Sequence, residues 1–203
     1  MGLLFLGDFT MKKTNIKKYV VTAMLSAVAF VLMFIDFPTP LMPSFIKMDI
    51  SEMPALIASF ALGPWWGVIV CFVKNLLNLF LHGQTGGIGE LCNFLMGISF
   101  VLPAGYIYKV NKTKKNAMVA SLIGSVIMAV CSLPINYFIS YPIYERIMSL
   151  DAIIGMYRVI LPTVKNLFEC LLIFNAPFTL VKGILCSVIT FLVYKKISGF
   201  IKN

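Results

Sequence analysis

Charge is what this chain has least of. Asp, Glu, Lys and Arg make up 12% of its 203 residues, about half the roughly 25% that a soluble domain spreads over its surface. A water-facing globule is excluded. Histidine occurs once, so no His-based metal site can be assembled, and no bound metal or cofactor is expected. The five cysteines (Cys71, Cys92, Cys131, Cys170 and Cys186) stand singly. Their odd number and the lack of a C-x-x-C argue against a disulfide framework or a zinc site, and they read as packed thiols. The glycine-rich "GQTGGIGE" lacks the GK[ST] ending and preceding strand of a phosphate loop. It reads as a tight turn. D-x-x-D, H-E-x-x-H and G-x-S-x-G are all absent, which removes the usual chemistry of a lipid-modifying intramembrane enzyme. The start "MGLLFLGDFTMKK" has no basic n-region of a signal peptide, and Leu6 stands where myristoylation wants Ser or Thr. Met11 is an alternative start.

Hydrophobic residues make up 60% of the chain. They fall in runs of about 18–20, each able to cross a hydrocarbon core of roughly 30 Å. No period-2 pattern competes, so the expected fold is all-α: a polytopic bundle of six transmembrane helices in the lipid bilayer. The expected spans are 17–35, 51–63, 65–83, 88–108, 117–140, and a last one from 166 or 171 to 194. The second opens on Ser51 in a capping-box-like manner, with Pro54 in its first turn. Residues 1–16 read as a cytoplasmic tail and 17–203 as one membrane domain. The segment 141–165 is too charged to cross. It reads as interfacial, with Tyr141, Tyr144 and Tyr157 as headgroup anchors. No internal repeat of the secondary-transporter kind is visible.

The net charge of +9 does not imply nucleic acid, because of where the cations lie. Four lysines cluster at 12–18, four at 109–115 and three at 195–202. Clusters bordering apolar spans mark cytoplasmic ends. Six crossings put all three on one side, with both termini cytoplasmic and the acidic, proline-rich connections outside.

Within the spans, polar residues share faces. Lys182 lies 13 residues before Lys195, roughly 20 Å along a helix, deep enough that an unsolvated charge costs about 2.5–3.5 kcal/mol or more. A polar cavity is the expected setting. Asn175, Thr179 and Lys182 are spaced i, i+4, i+7 on one face, and Pro177 frees the carbonyl of Ile173. Ser121, Ser125, Ser132 and Asn136 form a stripe on the fifth span; the serines read as packing residues and Asn136 as a ligand contact. Lys74, Asn75, Asn78 and His82 form a polar edge on the third. Glu90 is placed to pair with Lys182 or to accept from a ligand. Ala23 and Ala27 make a small-xxx-small step that permits close helix approach. Together these describe an outward pocket for a flat, partly apolar molecule with several hydrogen-bonding atoms.

The segments "FPTPLMPSFIKMDISEMPALI", "GGIGELCNFLMGISFVLPAGYIYK", "LPINYFISYPIY" and "PFTLVKG" resemble the riboflavin-specific substrate-binding (S) components of energy-coupling factor (ECF) vitamin transporters. The likeness runs from about residue 17 to the end. It implies a bacterial plasma-membrane protein, not an enzyme, that binds riboflavin from outside as cargo. It also implies a transmembrane coupling protein and two cytoplasmic ATPases as partners, met through Ala23 and Ala27. By that resemblance the ligand positions carry to Asn136 and Lys182, and Thr179 stands where the family pattern has asparagine. Asn136, Thr179 and Lys182 would address the ring edge, and Asn175 on the same helix face is a further substrate-binding candidate. Leu41, Met42 and Phe45 would meet the dimethylbenzene end, and Asp49 and Glu90 the ribityl hydroxyls. The alternatives are an S component for another flat vitamin such as thiamin, or a small intramembrane lipid-modifying enzyme.

Overall fold

The computed structural model describes the backbone at 2–39, 42–43, 46–82, 87–146 and 148–202. Side chains are described between Ile16 and Val193 within those stretches, apart from Pro38 and Lys47. Among the described residues the fold is helical except for one antiparallel pair of two-residue strands, β1 (Phe37–Pro38) and β2 (Lys47–Met48). These pinch the connection after α1 (Gly2–Met33) into a hairpin. Then follow α2 (Glu52–Ala61), α3 (Pro64–His82) and α4 (Ile88–Val110). The fifth long helix, α5, runs as Lys114–Ile135, a wider turn at Asn136–Ser140, and Tyr141–Tyr144. A short helix, α6 (Leu150–Ile160), precedes α7, built from Leu167–Cys170, a second wide turn at Leu171–Asn175, and Ala176–Lys202.

Among the described residues, five segments are long and apolar enough to cross a membrane: Ile16–Met33, Pro64–His82, Ile88–Val110, Lys114–Tyr144 and Leu167–Val193. The expected second span, 51–63, is the shortest of the set. With ten residues, α2 is about 15 Å long, half a hydrocarbon core. Prolines before it and the Gly63–Pro64 break after it, where Gly63 takes φ +125°, leave no room for more. Every residue from Glu52 to Phe60 is buried, as befits a helix enclosed on all sides. Small residues allow this enclosure: a Cβ on Gly105 would fall 2.1 Å from Ser59 Oγ, and that hydroxyl donates to the Val101 carbonyl at 2.8 Å.

Ring contacts set helix direction. Tyr19, near the start of the apolar Ile16–Met33 part of α1, and Trp66, near the start of α3, are 5.2 Å apart, and Phe34 and His82, at the far ends, 4.7 Å. The two helices therefore run the same way, and residues 34–63 return the chain to its starting level. In the other direction, α4 and α5 are antiparallel, with Asn116 Nδ2 donating to the Ile107 carbonyl at 2.8 Å. The serine stripe packs as read: Ser121, Ser125 and Ser132 are buried and bond their own helix carbonyls. A Cβ on Gly183 of α7 would meet Ser125 Oγ at 2.7 Å.

Two local expectations fail. The Ser51 hydroxyl makes no cap bond; it accepts from the Lys74 ammonium at 2.7 Å, because a charged donor outbids a backbone amide. Tyr141 and Tyr157 are not headgroup anchors. They are 2% and 0% exposed, because α6 folds its Ile153, Ile154 and Tyr157 face onto the bundle and their hydroxyls find partners inside.

Candidate functional site

Two irregular turns build the site. At the end of Asn136–Ser140 the amide of Tyr141 reaches the Asn136 carbonyl, five residues back. After Leu171–Asn175 the amide of Ala176 reaches the Leu171 carbonyl in the same way. The cause is local. Pro142 and Pro177 each stand two residues past the turn, and neither can donate to the carbonyl four residues earlier. The register slips to i→i+5, a feature common at functional positions. The slips bring Asn136 and Asn175 to one cavity.

That cavity holds about 190 Å³ and is lined among others by Asn136, Ser140, Asn175, Thr179 and Lys182, with Ile46, Met96, Met128 and Phe178 as apolar wall. Ser140 Oγ donates to Asn136 Oδ1 at 3.0 Å. Asn175 is locked: Tyr157 donates to its Oδ1 at 2.7 Å, and its Nδ2 donates to the Tyr141 hydroxyl at 3.3 Å. Burial, with Tyr141 beside it, pushes the Tyr157 hydroxyl well above its ordinary value, so it remains a donor. Thr179 Oγ1 donates to the Asn175 carbonyl at 2.8 Å, which leaves its oxygen lone pairs toward the cavity.

Lys182 points neither into acyl chains nor among headgroups. Its ammonium lies 2.7 Å from Asp49 Oδ2, and the two side chains are 11% and 14% exposed. Asp49 Oδ1 accepts from the Ser51 amide at 2.8 Å. Burial alone would raise the Asp49 carboxyl, but Lys182 and Lys74 outweigh it and hold it far below the usual carboxylate range. Behind this pair is a second one that the sequence reading did not foresee. Lys74 donates to Glu52 Oε1 at 2.7 Å, both side chains fully buried. A lysine at the centre of a span with no interface in reach was the available signal.

The remaining expected residues divide. Asp49 reaches the cavity by way of Lys182, whereas Glu90 accepts from Asn78 Nδ2 at 3.0 Å and lines a separate groove between α3 and α4. The polar edge on α3 is thus broken up: Lys74 and Asn75 are buried, and His82 stacks edge-on against Phe34. Met42 is buried in the connection before α2; Leu41 and Phe45 lie outside the described residues. Ala23 and Ala27 are exposed on α1, flanked by exposed Tyr19, Val20, Met24 and Val28.

A helical bundle with spans long enough to cross a membrane and a small polar cavity walled in part by Ile46 has the form of a ligand-binding membrane protein. The chain belongs to the family described as "ECF transporter, substrate-specific component", whose sequence model matches residues 17–194. It is similar to the riboflavin transporter RibU of Staphylococcus aureus (strain TCH60), 37% identical over 187 residues, covering 92% of this chain and 93% of that protein. It is also similar to the riboflavin transporter FmnP of Bacillus subtilis (strain 168), 32% identical over 191 residues, covering 93% and 96%. Among solved structures, the S component of a bacterial ECF transporter superposes with a TM-score of 0.73 at 34% identity, over 93% of this chain and 99% of that one.

Proposed function

We propose that this chain captures riboflavin at the outer face of a bacterial plasma membrane and takes part in its uptake as the S component of an ECF transporter. A coupling protein and two cytoplasmic ATPases supply the energy, since ligand binding alone shifts an equilibrium only by its differential affinity for two states. The observation that carries the reading is Lys182, a cation deep in an apolar helix, paired with Asp49 at the wall of a cavity that Asn136 and Thr179 also line.

Six crossings with both termini cytoplasmic are supported by the parallel run of α1 and α3, with residues 34–63 returning between them. The three lysine clusters then share one side, as the positive-inside rule requires. The cavity lies on the opposite side, near the ends of α5 and the start of α7.

Asn136, Thr179 and Lys182 address the carbonyls and nitrogens along one edge of the isoalloxazine ring. Met42 faces the dimethylbenzene end, and Asp49 accepts from ribityl hydroxyls. Asn175 acts by holding the wide turn rather than by touching the ligand, because both ends of its amide are engaged by tyrosines. Glu90 contributes from the neighbouring groove. The cavity of about 190 Å³ is smaller than the roughly 300–1,000 Å³ of usual ligand sites, so a three-ring guest enters with outward movement of the connection at Ile46. The exposed face at Ala23 and Ala27 meets the coupling protein. Replacing both with leucine is expected to spare binding and abolish uptake; lost binding would assign the step to the bundle itself.

The direct test is mass spectrometry of small molecules released from protein purified in mild detergent. Riboflavin is expected at near-stoichiometric yield, with a yellow preparation. Thiamin or another vitamin in its place would overturn the ligand assignment while leaving the family intact.

A further inference from the structure

The charge of the cavity is balanced within the protein. Among its described lining residues the sole cation is Lys182, and its ammonium is already 2.7 Å from Asp49. Behind it, Lys74 is matched by Glu52 at the same distance, fully buried. Two ammoniums face two carboxylates, so the cluster is neutral. The backbone keeps Asp49 in place independently of Lys182, because the Ser51 amide donates to its other oxygen, while the Ser51 hydroxyl is held by Lys74. Glu90, which lines the adjoining groove, is another acid.

A neutral ligand rich in hydroxyls suits such a site. Hydroxyl groups donate to carboxylates, and each ionised carboxylate offers about four acceptor directions, of which Asp49 has spent one on Lys182 and one on Ser51. A phosphate group is the opposite case. It brings a charge of about −1.5 to −2 and only strong acceptors, so it needs cations or amide donors to replace the water it loses. Here it meets an ammonium whose charge is cancelled and a carboxylate that repels it.

We propose that Asp49 is a specificity-determining residue: by neutralising Lys182 it makes the cavity select the uncharged vitamin and turn away the same molecule carrying a phosphate. This rests on the riboflavin reading above. Removing the carboxylate while keeping its shape, in Asp49→Asn, leaves an oxygen for the Ser51 amide and uncovers the Lys182 charge. Removing both charges, in Asp49→Asn with Lys182→Gln, returns the site to neutrality.

The experiment is equilibrium titration by quenching of flavin fluorescence, with riboflavin and riboflavin 5′-phosphate as the two probes. It compares the wild-type chain, Asp49→Asn, Lys182→Gln and the double variant, all purified in detergent. The wild type is expected to prefer riboflavin by at least about tenfold, the scale of one close charge interaction. Asp49→Asn is expected to narrow that preference by about tenfold, with the gain for the phosphate ester fading at high salt. The double variant is expected to restore the preference. In Lys182→Gln, which leaves the carboxylate unbalanced, the phosphate ester should weaken more than riboflavin; this arm stands even where Asp49→Asn fails to fold. Equal affinity of the wild type for both flavins, or proportional weakening of both in either single variant, overturns the role of Asp49. Failure of wild-type protein to bind riboflavin counts against the functional reading instead, because the role of Asp49 is read from the ratio between flavins.

Discussion

Two ion pairs of equal length sit one behind the other in this bundle, and they differ in what surrounds them. Lys74–Glu52 is sealed, with both side chains 0% exposed, and its ammonium also donates to Ser51. Lys182–Asp49 has the same 2.7 Å separation but remains 11% and 14% exposed at a cavity wall. The first can exchange its partner for nothing, because no water or ligand reaches it. The second has room on one side for a guest. Identical chemistry thus stands in two settings, one fastening α2 to α3 and one, on the proposed function, presenting a cation and its counter-charge to a ligand.

Separating the two roles by mutation gives the largest expected effect first. Lys74→Ala leaves Glu52 buried and uncompensated, a change that costs about 3–5 kcal/mol. Thermal unfolding in detergent should show a large loss of stability or no folded protein. Replacing both members with apolar residues of similar size, Lys74→Met with Glu52→Leu, should recover most of that loss, because a buried pair and a packed apolar pair are of comparable stability. The recovered protein should bind riboflavin within about threefold of wild type, a difference under 1 kcal/mol. A double variant that folds but cannot bind would bring the sealed pair into the site and dissolve the distinction.

A smaller effect concerns pH. Burial raises the Asp49 carboxyl, but Lys182 and Lys74 drive it far below its ordinary value. A carboxylate depressed in the folded state contributes stability that is complete above its unfolded value of about 3.9 and is lost only as pH falls toward the folded one. The stability difference between wild type and Asp49→Asn is therefore expected to stay flat between pH 5 and 8, measured by thermal unfolding. A difference that vanished near pH 6 would show that Asp49 is not held as an ion pair.

Much of the architecture was readable from composition, because a run of apolar residues has few other places to go. The long spans were placed within a few residues, and Lys182 announced a polar niche by its depth alone. What escaped were features that depend on neighbours distant in sequence. The α2 segment reads as a short apolar helix broken by Gly63–Pro64, but its burial on every side from Glu52 to Phe60 shows only in the fold. Tyr141 and Tyr157 looked like interface anchors because tyrosine is common there; only the fold of α6 onto α7 supplies Asn175 as their partner. The Lys74–Glu52 pair joins residues 22 apart, and Ser51 was read as a cap because its true partner lies on another helix. The wide turns did carry a local sign, a proline two residues downstream of each. Pro177 was noticed for the carbonyl it frees, but the shift of register that follows was not.

The most direct test of the account is an equilibrium titration of riboflavin against wild-type and Lys182→Ala protein. Removing the ammonium takes away a ligand donor and leaves Asp49 with its charge unmatched, so affinity should fall by at least about tenfold, more than 1.4 kcal/mol. The protein should still fold, since water in the cavity can reach Asp49. Unchanged affinity in a folded Lys182→Ala protein would contradict the central claim and place the ligand elsewhere in the bundle.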